Sequence, residues 1–241
     1  MSRLLLILIV FFSLTSCSKI YNMMRKDVDT EGKTGIKSKF NDDNKIYTTN
    51  RLFTYDVQQI DAARELNYKM ELLAIPGKFT GGTKIKYKCY YTEENLTNEE
   101  KEMYLDSNQP YKWDITNVME DKEGVWIHPP RSYTLEKLEL SPFPSIDFPT
   151  KVGDKWSYKM YIGAGWGELK GKIVKSDFIV EKVEYSENDS SNFTARVKAE
   201  TYFDEENRLC NAVFDFDSQL GFTNLSYVFN DSTKLEMKMV E

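Results

Sequence analysis

The sequence has little of the chemistry on which most catalytic and metal sites depend. Its 241 residues include one histidine, three cysteines and only seven arginines among 32 basic residues, and the formal net charge is −6. Because nucleic-acid binding relies on clustered basic charge, we expect no nucleic-acid partner. The sequence contains no zinc-ligand spacing, Walker motif or His-Glu-x-x-His motif, so we predict no metal, no cofactor and no catalytic residue.

What the chain does contain suits a folded protein. Hydrophobic residues make up 41% of it and charged residues 29%, a balance that argues against both full disorder and a multi-span membrane protein. The 14 Phe, 15 Tyr and 4 Trp residues supply ample apolar material for a core. The length allows one large domain or two small ones.

The N-terminal residues 1–17 predict export. Arg3 is followed by an unbroken apolar run over residues 4–12, which is too short for a bilayer span of about 20 residues and is typical of a secretory signal. The sequence Leu14–Ser16 followed by Cys17 resembles the bacterial lipobox. That resemblance implies cleavage before Cys17 and a diacylglycerol on its thiol, whereas the alternative is an ordinary signal peptide that happens to end beside a cysteine.

The predicted domain organisation follows from this N-terminus. We predict a signal peptide over residues 1–16, a lipidated Cys17 with a flexible tether over 17–44, and a single β-rich domain over 45–241. A split into two lobes near 141–150 is the alternative. The lipid places the protein at a membrane of the cell envelope. The absence of acidic residues directly after Cys17 favours the outer membrane, facing the periplasm, and surface exposure stays open.

The C-terminal half alternates between apolar and polar residues, which is typical of half-buried strands. Short polar turns separate the strands and predict an antiparallel meander. A preceding strand over 173–185 loses its apolar phase between Val180 and Val183, which predicts a β-bulge. The four strands of the meander are 193–203, 210–216, 225–229 and 235–239.

The N-terminal half is also rich in predicted strands but less regular. Thr97 and Glu100 form a capping box that predicts a helix over 97–105, and a second short helix is predicted over 57–65. Five of the seven prolines fall in 129–149, which predicts an extended crossover because proline lacks a donor for the strand ladder. The remaining predicted strands cover 66–72, 85–91, 113–115, 125–127, 135–140 and 156–162.

A turn over residues 149–158, with Gly153 and Trp156 entering a strand before long hairpins, resembles a pattern in uncharacterised bacterial envelope lipoproteins. The resemblance covers about 149–241 and implies a curved half-barrel sheet similar to that of the LolA/LolB-like lipoprotein carriers, with no catalytic residues carried over. We therefore predict a mainly β fold: a curved antiparallel sheet, a half-barrel or barrel-like meander, with one or two short helices.

Four side chains are candidates for contact with a ligand or partner. Trp126, His128 and Arg131 surround a Pro-Pro turn, where the histidine is either a general base or a packed residue at a strand end. The guanidinium of Arg131 either binds a carboxylate or phosphate, or pairs with a surface acid. Trp166 lies in a glycine-rich stretch that is followed by a strand pattern, and this order favours a hairpin over a phosphate loop.

Cys89 and Cys210 fall on the apolar faces of their strands. In an oxidising compartment they either form a disulfide or remain buried thiols.

Three functional hypotheses follow. The first is a non-catalytic module that binds a hydrophobic or lipid-like ligand on a concave apolar face. The alternative is an interaction or scaffold lipoprotein that presents Trp166 and residues 129–149 to an envelope protein. A third, an enzyme that uses His128, requires an acid or hydroxyl beside the imidazole in a cleft.

Overall fold

The computed structural model describes residues 46–76, 83–92, 94, 96–105, 111–162, 169–189, 191–203 and 207–240. The predicted signal peptide, Cys17, the predicted tether and Trp166 lie outside these described residues. Within the described ranges, no helix combines the length and the apolar character that a membrane crossing requires.

The described chain forms one mainly β structure, which confirms the predicted fold class. The helices are α1 (Asn98–Tyr104) and a 3₁₀ helix (Tyr133–Leu140). The strands are β1 (Leu52–Ile60), β2 (Glu65–Pro76), β3 (Thr83–Tyr90), β4 (Lys112–Asp121), β5 (Gly124–Ile127), β6 (Ser145–Asp147), β7 (Lys155–Tyr161), β8 (Ile173–Tyr185), β9 (Phe193–Tyr202), β10 (Arg208–Asp217), β11 (Gly221–Phe229) and β12 (Lys234–Val240).

The connection between the sheet edges requires strong curvature. The strands pair in the order β6-β5-β4-β3-β2-β1-β12-β11-β10-β9-β8-β7, so the edge strands β6 and β7 are consecutive in the chain. The intervening residues 148–154 reach about 27 Å when fully extended. Eleven flat inter-strand spacings would cover about 53 Å. The sheet therefore curls until its edges approach each other, and strands from both sides of 141–150 belong to it.

The strand pattern follows the alternation in the sequence. In β9, Phe193, Ala195 and Val197 are buried, whereas the residues between them are less so. The predicted bulge in β8 is confirmed, because the register with β9 shifts between Val180 and Lys182. The inward side chains of all the long strands join one apolar core, in which the side chains of Tyr55, Phe214 and Tyr227 are among the largest that are fully buried.

The predicted helix at 97–105 is confirmed as α1. Thr97 caps its first turn, and both hydrogen bonds of the capping box with Glu100 are present. The Glu100 carboxylate also accepts two hydrogen bonds from the Arg64 guanidinium. This pairing is the main reason why the pKa of Glu100 falls to about 2.

Two local predictions were wrong. Residues 57–65 form the end of β1, a turn and the start of β2, because Val57 continues the inward alternation and the Asp61 carboxylate accepts backbone hydrogen bonds in the turn. Residues 135–140 belong to the 3₁₀ helix and not to a strand. Leu135 and Leu138 are both buried, and a spacing of three places them on one side of such a helix.

The first described residues seal one end of the curved sheet. The Ile46 and Tyr47 amides donate to the Glu120 carboxylate at 2.6 and 2.9 Å. The Tyr47 hydroxyl accepts a hydrogen bond from the Phe222 amide, and the ring is fully buried. Gly221 adopts a φ of 85°, and a Cβ atom at this position would collide with the Tyr47 hydroxyl.

We predict that Gly221→Ala lowers the free energy of unfolding by about 3 kcal/mol, since left-handed strain adds to overpacking against a side chain that cannot move. Gly153→Ala is the matched control, because Gly153 has a φ of 89° with no atom within 4 Å of the added carbon. This control is expected to lose only about 1 kcal/mol. Urea denaturation of both variants measures the difference, and equal losses would contradict the role assigned to Tyr47.

Candidate functional site

Residues 128–144, here called the cover segment, lie between the curved walls of the sheet. Leu135 and Leu138 of its 3₁₀ helix join the main core cluster. Three prolines of the segment line a central space together with inward side chains of β1, β2, β3, β5, β11 and β12. The volume of that space is about 10 Å³, which holds at most one water molecule. The cover segment therefore occupies the concave apolar face that the sequence led us to expect as a ligand site.

Hydrogen bonds hold the cover segment at its margins. The Thr134 hydroxyl is within hydrogen-bond distance of the Tyr68 and Tyr91 hydroxyls, at 3.1 and 2.8 Å. On the other side, Lys137 Nζ donates to the Asp231 carboxylate at 2.5 Å and to the Thr233 hydroxyl at 2.8 Å. Proximity to the Lys137 ammonium holds the pKa of Asp231 at about 2. The segment thus bridges the β2–β3 side to the β11–β12 turn.

The backbone of the cover segment is under local strain. Tyr133 begins its 3₁₀ helix with a φ of 61°, a conformation that a bulky aromatic residue rarely adopts. The helix continues for eight residues, although 3₁₀ runs beyond about four are uncommon because their hydrogen bonds are poorly aligned. The packing around the segment therefore maintains a conformation that the segment itself does not favour.

The structure brings Trp126, His128 and Arg131 together where the cover segment begins. Trp126 lies on β5 and His128 follows directly after that strand, with ring centroids 5.9 Å apart. The Phe143 ring packs on the imidazole at 4.7 Å. Tyr158 of β7 accepts a hydrogen bond from the Phe143 amide and donates one to the Phe143 carbonyl. This aromatic group joins the two edges of the sheet.

Glu139 supplies an acid that the sequence did not indicate. Its Oε1 lies 3.6 Å from Arg131 Nη1, and its Oε2 lies 3.9 Å from His128 Nε2. Oε2 is buried and forms no hydrogen bond. Burial is the main cause that raises the pKa of Glu139 and lowers the pKa of His128. The two groups are thus close enough to interact, and both are held toward their neutral forms.

The hydrogen bonds of His128 do not form a nucleophilic triad. Its Nδ1 lies 2.8 Å from the Pro129 carbonyl oxygen, which places the proton on that nitrogen. Thr116 donates its hydroxyl hydrogen to the backbone carbonyl of His128, not to the ring. Among the described residues, no hydroxyl is hydrogen-bonded to the imidazole.

Arg131 is anchored at its backbone. Its amide donates to the Asp114 carboxylate at 3.0 Å, and the hydroxyl of Ser132 donates to the same oxygen. The role of Asp114 was also missed from the sequence. Asp114 lies on β4, before the turn and the strand β5 that lead to His128. The pairing of β4 with β5 brings Asp114 close to the residues that follow β5.

Cys89 and Cys210 are buried free thiols. They lie on β3 and β10, which have four strands between them in the sheet order. Burial raises the pKa of Cys89 to about 12 and raises the pKa of Cys210 further. Since the reactive form of cysteine is the thiolate, both side chains behave as small core residues.

A groove of about 610 Å³ opens between β1, β2, β3 and β12. Its lining includes Asp56, Lys69, Glu236 and Lys238, and the first two are 3.6 Å apart in an ion pair. Charges of both signs make this groove a poor match for a hydrophobic ligand.

His128 predicts a specific pH dependence of stability. The pKa of His128 is lowered from the usual 6.5, so the folded state binds fewer protons than the unfolded state at pH values between the two pKa values. The free energy of unfolding therefore falls as the pH drops from 6.5 toward the lowered pKa. We expect His128→Gln to remove this part of the slope in urea titrations between about pH 7 and 5.

Glu139→Gln is the matched control for that titration. The pKa of Glu139 is raised above 4.5, so its contribution has the opposite sign: stability is lost as the pH rises from 4.5 through the raised value. A wild-type slope near pH 6 in His128→Gln would contradict the assignment.

Comparisons with known proteins give no family for this chain. No family model matches it, and no curated protein matches it significantly. A structure from Bacteroides fragilis, described as an exported protein with a YmcC-like fold, is 5% identical, with a TM-score of 0.39 over 80% of this chain and 97% of that one. A beta-barrel-like protein of a domain of unknown function from Brucella abortus is 11% identical, with a TM-score of 0.40 over 79% and 95%.

A third structure, from Parabacteroides distasonis and described as a lipoprotein, is 9% identical, with a TM-score of 0.36 over 80% of this chain and 96% of that one. All three are distant likenesses, from which we infer no activity. None of the three bears the name of a lipoprotein carrier, so the resemblance noted for residues 149–158 stays a prediction.

Proposed function

We propose that this chain is a lipoprotein of the cell envelope, anchored through Cys17, and that its β domain is a non-catalytic module that binds a hydrophobic or lipid-like ligand. The proposed site is the concave apolar face of the sheet, which a ligand reaches when the cover segment moves out. The lipobox resemblance supports the anchor, and the absence of acidic residues directly after Cys17 supports a position at the outer membrane, facing the periplasm.

The observation that carries the proposal is the contrast between the apolar face and the segment that covers it. The face presents Tyr55, Met70, Leu225 and Met237 toward the central space, side chains that suit an acyl or aromatic ligand. The cover segment, residues 128–144, forms no strand of the sheet and contains a strained 3₁₀ helix. Its replacement by a ligand therefore breaks few strand-ladder hydrogen bonds.

For a ligand to displace the cover segment, the hydrogen bonds at the margins of that segment would have to break. Lys137 contributes two of them, to Asp231 and Thr233. The Lys137 and Asp231 side chains are both about half exposed. Solvent screening therefore limits the contribution of this ion pair to about 1 kcal/mol. A change of this size shifts the population of the open form about fivefold.

We expect Lys137→Met to bind a dansyl-labelled fatty acid about fivefold more tightly than the parent chain, because the apparent affinity scales with the open population. Fluorescence titration of the mature chain with Cys17→Ser measures this. Lys175→Met is the control, since Lys175 pairs with Asp177 on β8, away from the cover segment. Failure of both the parent and Lys137→Met to bind the probe, with far-ultraviolet spectra unchanged, would rule out the ligand site.

A second candidate function is an interaction lipoprotein. Tyr161 and Ile173 pair directly across β7 and β8 and are 66% and 55% exposed. Exposed aromatic and aliphatic pairs of this kind are common at protein interfaces. A photo-crosslinker at Tyr161 is expected to capture one envelope protein reproducibly in cells, and to lose it with Ile173→Ser. Capture that Ile173→Ser leaves unchanged would count against this role.

A further inference from the structure

The outer surface of β3 and β4 combines lysines with exposed apolar side chains. Inward alternation of Ile85, Tyr87 and Cys89 leaves the residues between them on the outer side of β3. In the β3–β4 register, Lys86 pairs with Ile115 and Lys88 pairs with Trp113. We call this surface the lysine–tryptophan face; its residues are Lys84, Lys86, Lys88, Trp113 and Ile115.

The apolar members of this face are partly exposed to solvent. Trp113 is 45% exposed and Ile115 is 39% exposed. The Lys86 ammonium lies 5.0 Å from the centre of the Trp113 ring, and the Lys88 ammonium lies 5.0 Å from the centre of the Tyr111 ring. Two lysine ammonium groups thus lie over aromatic rings, a cation–π arrangement.

The charge of the face differs from that of the protein as a whole. Lys88 pairs with Glu71 at 3.4 Å. Within the described part of the chain, no carboxylate forms an ion pair with Lys84 or Lys86. On β8, by contrast, Lys175 and Lys182 both pair with neighbouring acids at 2.8 and 2.7 Å. A chain of net charge −6 therefore carries a local excess of positive charge here.

Lysine beside tryptophan, tyrosine and isoleucine is the chemistry of a membrane interface. Trp and Tyr side chains favour the level of the lipid headgroups, and Lys is attracted to anionic lipid by about 1 kcal/mol for each residue near the surface. We propose that the lysine–tryptophan face binds the anionic lipid surface of the membrane that holds the protein.

The point where the chain enters the fold is compatible with this placement. The Ile46 and Tyr47 amides bind Glu120 of β4, the strand that carries Trp113. The seven residue steps from Trp113 to Glu120 span about 23 Å, and the tether that we predict from the sequence over residues 17–44 would reach about 30 Å. The reach argument rests on the proposed lipid at Cys17, whereas the lysine–tryptophan chemistry does not.

The test uses the mature chain with Cys17→Ser, so that no acyl group contributes to binding. The parent is expected to sediment with vesicles of equal parts phosphatidylglycerol and phosphatidylcholine, and much less with pure phosphatidylcholine. The double variant Lys84→Gln with Lys86→Gln is expected to bind the anionic vesicles about 25-fold more weakly, at roughly fivefold for each lysine. Added salt is expected to weaken the binding of the parent to anionic vesicles as well.

The matched control is Lys175→Gln with Lys182→Gln, which changes the net charge equally on β8 and is expected to leave vesicle binding within about twofold of the parent. Trp113→Ser tests the apolar part separately and is expected to weaken binding. Circular dichroism and thermal unfolding establish that each variant is folded.

Three results would overturn the inference. These are no binding of the parent to anionic vesicles, equal losses in the two double-lysine variants, or capture of a protein by a photo-crosslinker at Trp113 without vesicle binding. Lys137→Met reports on the proposed ligand site and is expected to leave vesicle binding unchanged. Failure of the ligand proposal and failure of the membrane inference are therefore distinguishable.

Discussion

The short connection between the two edge strands is the constraint on which the rest of the structure depends. Residues 148–154 join β6 to β7, and a flat twelve-stranded sheet would place these strands farther apart than the connection can reach. Closing that distance curls the sheet and creates a concave apolar face. Because an exposed apolar surface of this extent is unfavourable in water, the chain has to cover it, and the cover segment does so.

Covering the face has local consequences for the segment involved. Tyr133 takes a left-handed conformation and the 3₁₀ helix runs for eight residues, while Leu135 and Leu138 of that helix are packed into the core. The same packing buries Glu139 beside His128 and leaves one carboxylate oxygen without a hydrogen bond. Burial favours the neutral forms of both groups. Backbone strain and buried titratable groups thus occur in the segment that covers the proposed ligand site.

The outer surface of the sheet also contains regions of different chemistry. Some lysines there pair with acids, as Lys175 does with Asp177, whereas Lys86 lies over Trp113. The interior and the outer face of β3 and β4 therefore differ in chemistry, and we propose a ligand for the first and a lipid surface for the second. Since each strand sends alternate side chains to opposite sides, one stretch of sequence serves both.

The alternation of apolar residues was enough to predict the strands of the C-terminal half, the bulge in β8 and the mainly β class, because period two is a local property of the chain. The capping box likewise placed α1. Residues 135–140 were misread as a strand, because three leucines among six residues do not by themselves distinguish a strand from a helix. The partners of His128, the filling of the concave face and the grouping of Lys84 and Lys86 with Trp113 were decided only by tertiary structure. Each depends on which strands pair and in what register, and these long-range contacts leave no local pattern in the sequence.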